Sequence, residues 1–188
     1  RPWAIVLLSM GSSMPGFVFG AIILSLLVYQ LLYSGSWTTL LPISGFGIDR
    51  HLVLPVIVLS IQPTFHLAKV VSSLVENELQ KDYIQVANSK GLTWLQLVRR
   101  HVWPNILSPT LITMGEAMRL MVGALVIVEA IFLWPGIGRI LLQSIGIRLD
   151  AGPGNAFFGN PNLVAILAVI MGSWLLIADL IVNVLAYR

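Results

Sequence analysis

Long apolar stretches alternate with short polar ones along this chain. Residues 16–33, 52–75, 106–132 and 163–187 are apolar apart from a few isolated ionisable side chains. Because an α-helix rises about 1.5 Å per residue, even the shortest stretch would span about 27 Å, close to the thickness of a hydrocarbon core. The pattern therefore predicts four transmembrane helices. Pro55 and Pro63 are expected to interrupt the second.

The first residues carry a shorter apolar run. It extends only from Trp3 to Met10 before Gly11-Ser12-Ser13, which we expect to end the helix. We interpret this run as part of a transmembrane helix, so that the N-terminal part of the bundle is missing or cropped. A secretory signal is the alternative, but no cleavage-site pattern of small residues follows it.

Composition supports the membrane class. Hydrophobic residues make up 57% of the 188 and charged residues 10%, whereas soluble domains carry about 25% charged residues. The chain contains no Cys, which excludes disulfides and thiolate chemistry. The predicted fold is an all-α membrane protein, a polytopic bundle of transmembrane helices.

The basic residues indicate orientation rather than nucleic-acid binding, although the formal net charge is +3. Five of them lie on or beside the polar interval, residues 76–105, as the positive-inside bias predicts for a cytoplasmic loop: Lys69, Lys81, Lys90, Arg99 and Arg100. The intervals 34–51 and 133–162 would then be external. No aromatic residues interleave with the basic ones as in a nucleic-acid surface.

The polar interval itself has helical periodicity. From Glu76 to Lys90 it contains neither Pro nor Gly, and its apolar residues recur at helical spacing, so we expect one helix with Glu78 on a polar face. Gly91 follows where a left-handed residue commonly ends a helix. The interval is longer than most helix connections. It is therefore either a plain connector or a docking surface.

A second helix is expected after Gly91. Thr93 and Gln96 fit a capping box, which predicts a short helix from Trp94 to about Trp103. Pro104 would mark the turn into the next span.

Few polar residues lie within the spans. Glu116 and Arg119 are three residues apart, so they either pair with each other or line a solute path. Asp179 is expected to pair with a neighbouring helix. Gly16 and Gly20 form G-x-x-x-G, a pattern of close helix packing.

Motifs for catalysis and metal binding are absent from the sequence. The three histidines show no ligand spacing, and neither H-E-x-x-H nor G-x-S-x-G occurs. The phosphate-binding pattern G-x-x-x-x-G-K-[ST] is also absent. We therefore predict that the chain is not an enzyme and holds no metal.

Three segments carry a family resemblance. "DYIQVANSKGLTWLQLVRRHVWPNILSP" resembles the Glu-Ala-Ala loop of ABC importer permeases, in the form of the dipeptide, oligopeptide and nickel group. Ala87, Gly91 and Pro104 are in register, whereas Gln85 and Val86 depart from the triplet. "VEAIFLWPGIGRILLQSI" is similar to that group's segment after the fifth span. "SMPGFVFGAIILSLLVYQL" with "LPISG" resembles its third span and the external loop that follows.

The resemblance implies the fold of a type I ABC importer permease in a bacterial or archaeal inner membrane, taking up peptides or a related small solute. Residues 87–94 would form the coupling helix that docks on an ATPase, with these candidate residues: Ala87, Asn88, Lys90, Gly91, Leu92, Thr93 and Trp94. Glu129 would lie near the outer gate and hold the "WPGIG" turn.

The implied partners are a second permease subunit, two cytoplasmic ABC ATPases and an external solute-binding protein. ATP and magnesium would bind the ATPases, and this subunit would hold no cofactor. A secondary transporter or channel without an ATPase remains the alternative, and an intramembrane enzyme is a weaker one because no catalytic set is visible.

Overall fold

The computed structural model describes residues 2–34, 41–147 and 159–187, and within these ranges all regular structure is helical. The helices are α1 (Pro2–Ser13), α2 (Gly16–Ser34), α3 (Val53–Leu79), α4 (Asp82–Ser89), α5 (Trp94–Leu97), α6 (Trp103–Ile131), α7 (Ile137–Ile145) and α8 (Pro161–Ala186). A 3₁₀ turn (Arg50–Leu52) precedes α3, and a π turn (Val98–Val102) joins α5 to α6.

Among the described residues, four helical segments are long and apolar enough to cross a membrane: Gly16–Tyr33, Arg50–Leu79, Trp94–Ile131 and Pro161–Ala186. This agrees with the hydropathy pattern and confirms the all-α membrane fold. Parts of both predicted external loops, residues 35–40 and 148–158, lie outside the described residues.

Helix α1 continues through the Gly-Ser-Ser break expected from the sequence, so that expectation is wrong. The hydroxyls of Ser12 and Ser13 donate to the Ser9 carbonyl at 3.0 and 2.8 Å, which keeps both serines within helical geometry. The helix instead ends just before Pro15.

Helix α2 packs closely on α3 through its two glycines. A Cβ at Gly16 would lie 3.2 Å from the Val58 carbonyl oxygen, and one at Gly20 would lie 3.0 Å from a Val58 methyl carbon. The Gly16 amide donates to the Gln62 side-chain oxygen at 3.0 Å, which satisfies a free donor at the start of α2. The G-x-x-x-G pattern is therefore confirmed as close packing.

The prolines predicted to interrupt the spans do not do so. Helix α3 runs without a break past Pro55 and Pro63 and packs against α1, α2 and α6. Pro55 lies in its first turn, where the missing amide proton leaves no bond unmade. Pro63 lies inside the helix and is buried.

Pro104 likewise lies inside a continuous helical segment, and the predicted turn there is wrong. The five-residue π turn precedes α6, and the Trp103 amide bonds to the Val98 carbonyl. A π turn is wider than an α turn, so it relieves the clash between a proline ring and the carbonyl four residues earlier. The continuous helical segment therefore runs from Trp94 to Ile131.

Two groups of buried side chains lie at opposite ends of α6. The loop core consists of Ile84, Ala87, Leu97, Val102 and Ile106. The far core consists of Leu54, Val58, Val128 and Phe132. The polar interval thus has a hydrophobic core of its own, shared with the end of α3 and the start of α6.

Helix α7 is a short amphipathic helix that begins within the "WPGIG" segment at Ile137. It packs against α6 and α8 and ends at Gly146, whose φ of 98° is left-handed. The Asn160 side chain then accepts a hydrogen bond from the Leu163 amide at 3.2 Å and caps α8.

Candidate functional site

The polar interval lies between α3 and α6 and contains two short helices, α4 and α5. It does not contain the single helix that its periodicity predicts for residues 76–90. The helix predicted from Glu76 to Lys90 is broken at Gln80 and Lys81, where α3 ends and α4 begins. No Pro or Gly marks this break. The cause is tertiary: it lies beside Glu78, which is buried instead of lying on a polar face.

Glu78 is 5% exposed and has three hydrogen-bonding partners. Its carboxylate accepts from Lys81 Nζ at 2.6 Å, from the Tyr83 hydroxyl, and from Asn105 Nδ2 at 3.1 Å. Asn105 Nδ2 also lies 2.7 Å from the Tyr83 hydroxyl oxygen. These four residues, the Glu78 cluster, join α3, the break, α4 and α6.

Lys81 and Tyr83 both keep the proton that each donates to Glu78. The hydrogen bond with Glu78 raises the pKa of Lys81 above its ordinary value. Loss of hydration, followed by the hydrogen bond to Glu78, raises the pKa of Tyr83. At neutral pH Lys81 is therefore an ammonium and Tyr83 a neutral donor. A carboxylate with several donors is well compensated for its burial.

The turn between α4 and α5 follows the sequence prediction closely. Gly91 has a left-handed φ of 77°, and nothing lies within 4 Å of the position its Cβ would take. Gln96 accepts a hydrogen bond from the Thr93 amide at 3.0 Å, as the capping box requires. The cap and the left-handed glycine give the turn a defined shape.

Residues 87–94 do not form the single coupling helix implied by the resemblance. They comprise the end of α4, the turn at Gly91 and the first residue of α5. The physical reason is the left-handed glycine, which ends α4 and redirects the chain.

Some of the candidate docking residues are exposed and others are buried or partly buried. Ala87 is buried in the loop core and Leu92 packs against that core. Asn88, Lys90, Gly91, Thr93 and Trp94 are exposed. Trp94 is 64% exposed and its neighbour Leu95 is 75% exposed, so these two adjacent side chains form an apolar patch on the surface. The sequence prediction included Trp94 and missed Leu95.

A cavity of about 390 Å³ adjoins this surface. It is lined by Leu92, Gln96, Arg99 and Arg100, which we call the arginine pocket. Both arginines are exposed and lie on the π turn.

The charged residues within the spans pair between helices. Glu116 lies 3.2 Å from His66 Nε2 of α3, and Arg119 pairs with Asp179 of α8. The mutual Glu116–Arg119 pair is therefore not formed, whereas the interhelical pairing expected for Asp179 is confirmed. The Glu116 and Arg119 side chains are each 45% exposed. A role in lining a solute path stays a prediction.

Glu129 lies at the other end of α6 and is 8% exposed. Its carboxylate accepts a hydrogen bond from the Arg139 amide at 3.0 Å, in the first turn of α7. It also occupies the space where a Cβ of Gly136 would lie. Glu129 thus holds the "WPGIG" turn as expected, and a negative charge suits the start of a helix. Its role near a gate stays a prediction.

Comparison with known families settles the class of protein. Residues 2–188 match the model for the binding-protein-dependent transport system inner membrane component. The chain belongs to this family. As a member of the binding-protein-dependent transport family, it is a multi-pass inner-membrane protein, in agreement with its four apolar helical segments.

Individual members of the family agree with this assignment. The dipeptide transport system permease protein DppB of Lactococcus lactis is 32% identical over 179 residues, covering 95% of this chain and 54% of that protein. A putative peptide permease of Brucella ovis is 31% identical over 146 residues, 76% of this chain and 46% of the relative. The glutathione transport system permease protein GsiC of Salmonella typhimurium is 29% identical over 138 residues, which cover 73% of this chain and 43% of that protein. The chain spans about half the length of these curated relatives.

Proposed function

We propose that this chain forms part of the permease subunit of an ATP-driven ABC importer, in which the polar interval docks on an ATPase. The Glu78 cluster carries this proposal. It bonds the interval to both flanking spans through α3 and α6, so movement of the interval must move those helices.

The exposed surface of the interval supports docking. Trp94 and Leu95 project from a capped helix on the side that the basic residues indicate is cytoplasmic. Exposed aromatic and apolar side chains on a rigid element are typical of protein interfaces. The partners are then two cytoplasmic ATPases, which hold ATP and magnesium, together with a second permease subunit and an external binding protein. The chain itself carries out no catalysis.

Peptides are the proposed substrate class, because dipeptide, peptide and glutathione permeases are among the relatives. Peptides carry charged termini, and the Glu116–His66 and Arg119–Asp179 pairs offer half-exposed charged groups within the membrane. Charged side chains at this depth should face protein or water rather than lipid. Glu129 would hold the turn at the outer end of this path.

The test uses the full-length permease with its partner subunits in proteoliposomes. We expect Trp94→Ala combined with Leu95→Ala to lower ATP-dependent dipeptide uptake at least about tenfold, since anchoring apolar contacts dominate interfaces. Trp174→Ala, at an equally exposed tryptophan on α8 (69%), is the control and should leave uptake unchanged. Uptake that persists without any ATPase and follows an ion gradient would instead establish a secondary transporter.

A further inference from the structure

The arginine pocket presents hydrogen-bond donors and no matching acceptor. Arg99 and Arg100 carry only donors on their guanidinium groups. The Gln96 side-chain oxygen is already bonded to the Thr93 amide, which leaves the NH₂ group of Gln96 free to donate. Leu92, the remaining lining residue, contributes an apolar wall. A cavity lined in this way fits a negatively charged acceptor.

Neither arginine has an ion-pair or hydrogen-bond partner among the described residues, in contrast to Lys81 and Arg119. Two adjacent, unpaired guanidinium groups repel each other unless an anion lies between them. Arginine also binds carboxylates in a bidentate geometry that lysine cannot reproduce. Both exposed guanidinium groups are therefore available to an acidic group from another molecule.

The depth of the pocket favours a protein carboxylate over a lipid phosphate. The apolar stretch of α6 begins at residue 106, which marks the inner boundary of the span. Arg100 lies six residues beyond this boundary, roughly 9 Å along the helix axis. The headgroup layer is only about 5–7 Å thick on each side.

The pocket is also continuous with the exposed apolar surface. Leu95 precedes Arg99 by four residues, so the two lie on neighbouring positions of one helical face. An aromatic or apolar anchor beside arginines is the composition typical of residues that dominate protein interfaces.

We propose that the arginine pocket receives an acidic side chain of the partner ATPase, so that docking combines a Trp94–Leu95 anchor with a charge-assisted bond to Arg99 and Arg100. This inference rests on the proposed function and specifies the chemistry of the partner surface. The matching groove of the ATPase must contain a carboxylate next to an apolar hollow. Charge pairing of this kind raises the association rate and fixes the register of docking.

The experiment measures ATPase binding to the full-length permease in nanodiscs of phosphatidylcholine. We expect the double variant Arg99→Gln/Arg100→Gln to weaken binding about tenfold at ~0.15 M salt. It should also bind with little dependence on salt between ~0.05 and ~0.5 M, whereas the wild type weakens as salt rises. Arg50→Gln, an exposed arginine just before α3 on the predicted external side, should bind like the wild type.

The outcomes separate this inference from the proposed function. If Trp94→Ala weakens ATPase binding and the double arginine variant does not, the docking function stands and the carboxylate inference is wrong. If neither change alters binding, the docking function itself fails. If the arginine variant matters only after anionic phosphatidylglycerol is added, the pocket binds a lipid phosphate and the inference is overturned.

Discussion

Two buried glutamates lie near opposite ends of helix α6 and hold their surroundings in different ways. Glu78, beside the start of α6, accepts from the side chains of Lys81, Tyr83 and Asn105. Glu129, near the end of α6, accepts from the backbone amide of Arg139 and fills space that glycine leaves open. The first connects separate helices through side chains, and the second shapes one turn through the backbone.

This difference determines what each end can tolerate. A side-chain network requires particular donors at several positions, so it can transmit a change in one helix to the others. A backbone amide can donate to any hydrogen-bond acceptor of the right length, but the surrounding glycines allow no added atom. The end of α6 beside the loop core, the loop end, should therefore be sensitive to loss of the Glu78 carboxylate itself. The opposite end, the far end beside the far core, should be sensitive to added volume around the Glu129 carboxylate.

The largest effect is expected at the loop end. Glu78→Ala leaves three donors without their acceptor, and we expect it to lower the free energy of unfolding by about 3 kcal/mol, because hydrogen bonds to charged groups contribute about 1.5–3 kcal/mol each and are not additive. ATP-dependent uptake should fall with it. The measurement is thermal unfolding of the purified full-length protein in detergent, together with uptake in proteoliposomes.

Glu76→Ala is the matched control for this prediction. Glu76 is exposed and lies two residues earlier on the same helix. Its replacement should change unfolding by less than about 0.5 kcal/mol. Equal effects of the two changes would show that the Glu78 cluster contributes nothing specific. Glu78→Gln should fall between them, since it retains an acceptor but loses the charge that pairs with Lys81.

At the far end, the second-largest effect is expected from added volume. A Cβ at Gly138 would lie 2.5 Å from the Val126 Cα, a backbone atom that cannot move aside. Gly138→Ala should therefore destabilise the protein by about 2 kcal/mol through overpacking of α7 on α6. Thermal unfolding in detergent measures this change.

The control at the far end is Gly172→Ala, because nothing lies within 4 Å of a Cβ at Gly172 in α8. It should leave the unfolding temperature unchanged or raise it slightly, as alanine favours a helix. Glu129→Gln should also be mild, because its side-chain oxygen can still accept from the Arg139 amide. A larger loss from Glu129→Gln than from Gly138→Ala would reverse the comparison between the two ends.

Features set by neighbouring residues were predicted better from the sequence than features set by contacts between helices. Spans follow from hydropathy, and the turn at Gly91 follows from local rules for caps, which act over a few residues. The break after α3 depends on Glu78 reaching Tyr83 and Asn105, a contact over 27 residues that periodicity does not encode. Periodicity therefore placed Glu78 on a polar face.

The site residues likewise fall into those that short motifs predict and those that only the folded chain brings together. Trp94 and Gly91 were predicted from short motifs, whereas Leu95 and the arginine pocket emerge only when the turn brings Leu92 next to Gln96, Arg99 and Arg100. The charged residues in the spans were identified correctly, but their partners lie on other helices. Spacing within one helix favoured the Glu116–Arg119 pair and gave no information on His66.

A smaller effect at the loop end concerns the turn alone. Gly91 has a left-handed φ of 77° and open space around it, so Gly91→Ala tests backbone strain without a steric clash. We expect a loss of about 1 kcal/mol, the usual cost of placing a side chain in this conformation. Gly123→Ala is the control, because its surroundings are equally open within α6 and its φ is helical. Similar unfolding temperatures for both variants would mean that the turn is not held in this conformation.

The smallest effect is expected at an exposed pair near the far end. Asp49 Oδ1 accepts hydrogen bonds from the His51 ring at 2.7 Å and from the His51 amide at 3.2 Å. The His51 side chain thereby lowers the pKa of the Asp49 carboxyl below its ordinary value. A lowered carboxyl pKa means that the folded state favours the carboxylate, so this stabilisation is present above the ordinary aspartate pKa, about 3.9, and is lost as pH falls through the lowered value.

Asp49→Asn removes the contribution of the Asp49 carboxyl to the pH dependence of stability. The wild type should unfold at a slightly higher temperature than the variant at pH 7, and the two should converge as pH falls below about 4. Because the Asp49 side chain is 58% exposed, the difference at pH 7 should be smaller than that produced by Gly91→Ala. A difference that grows toward low pH would contradict the assigned sign, and one as large as that of Gly138→Ala would show that exposed polar contacts, and not tight glycine packing, hold the far end.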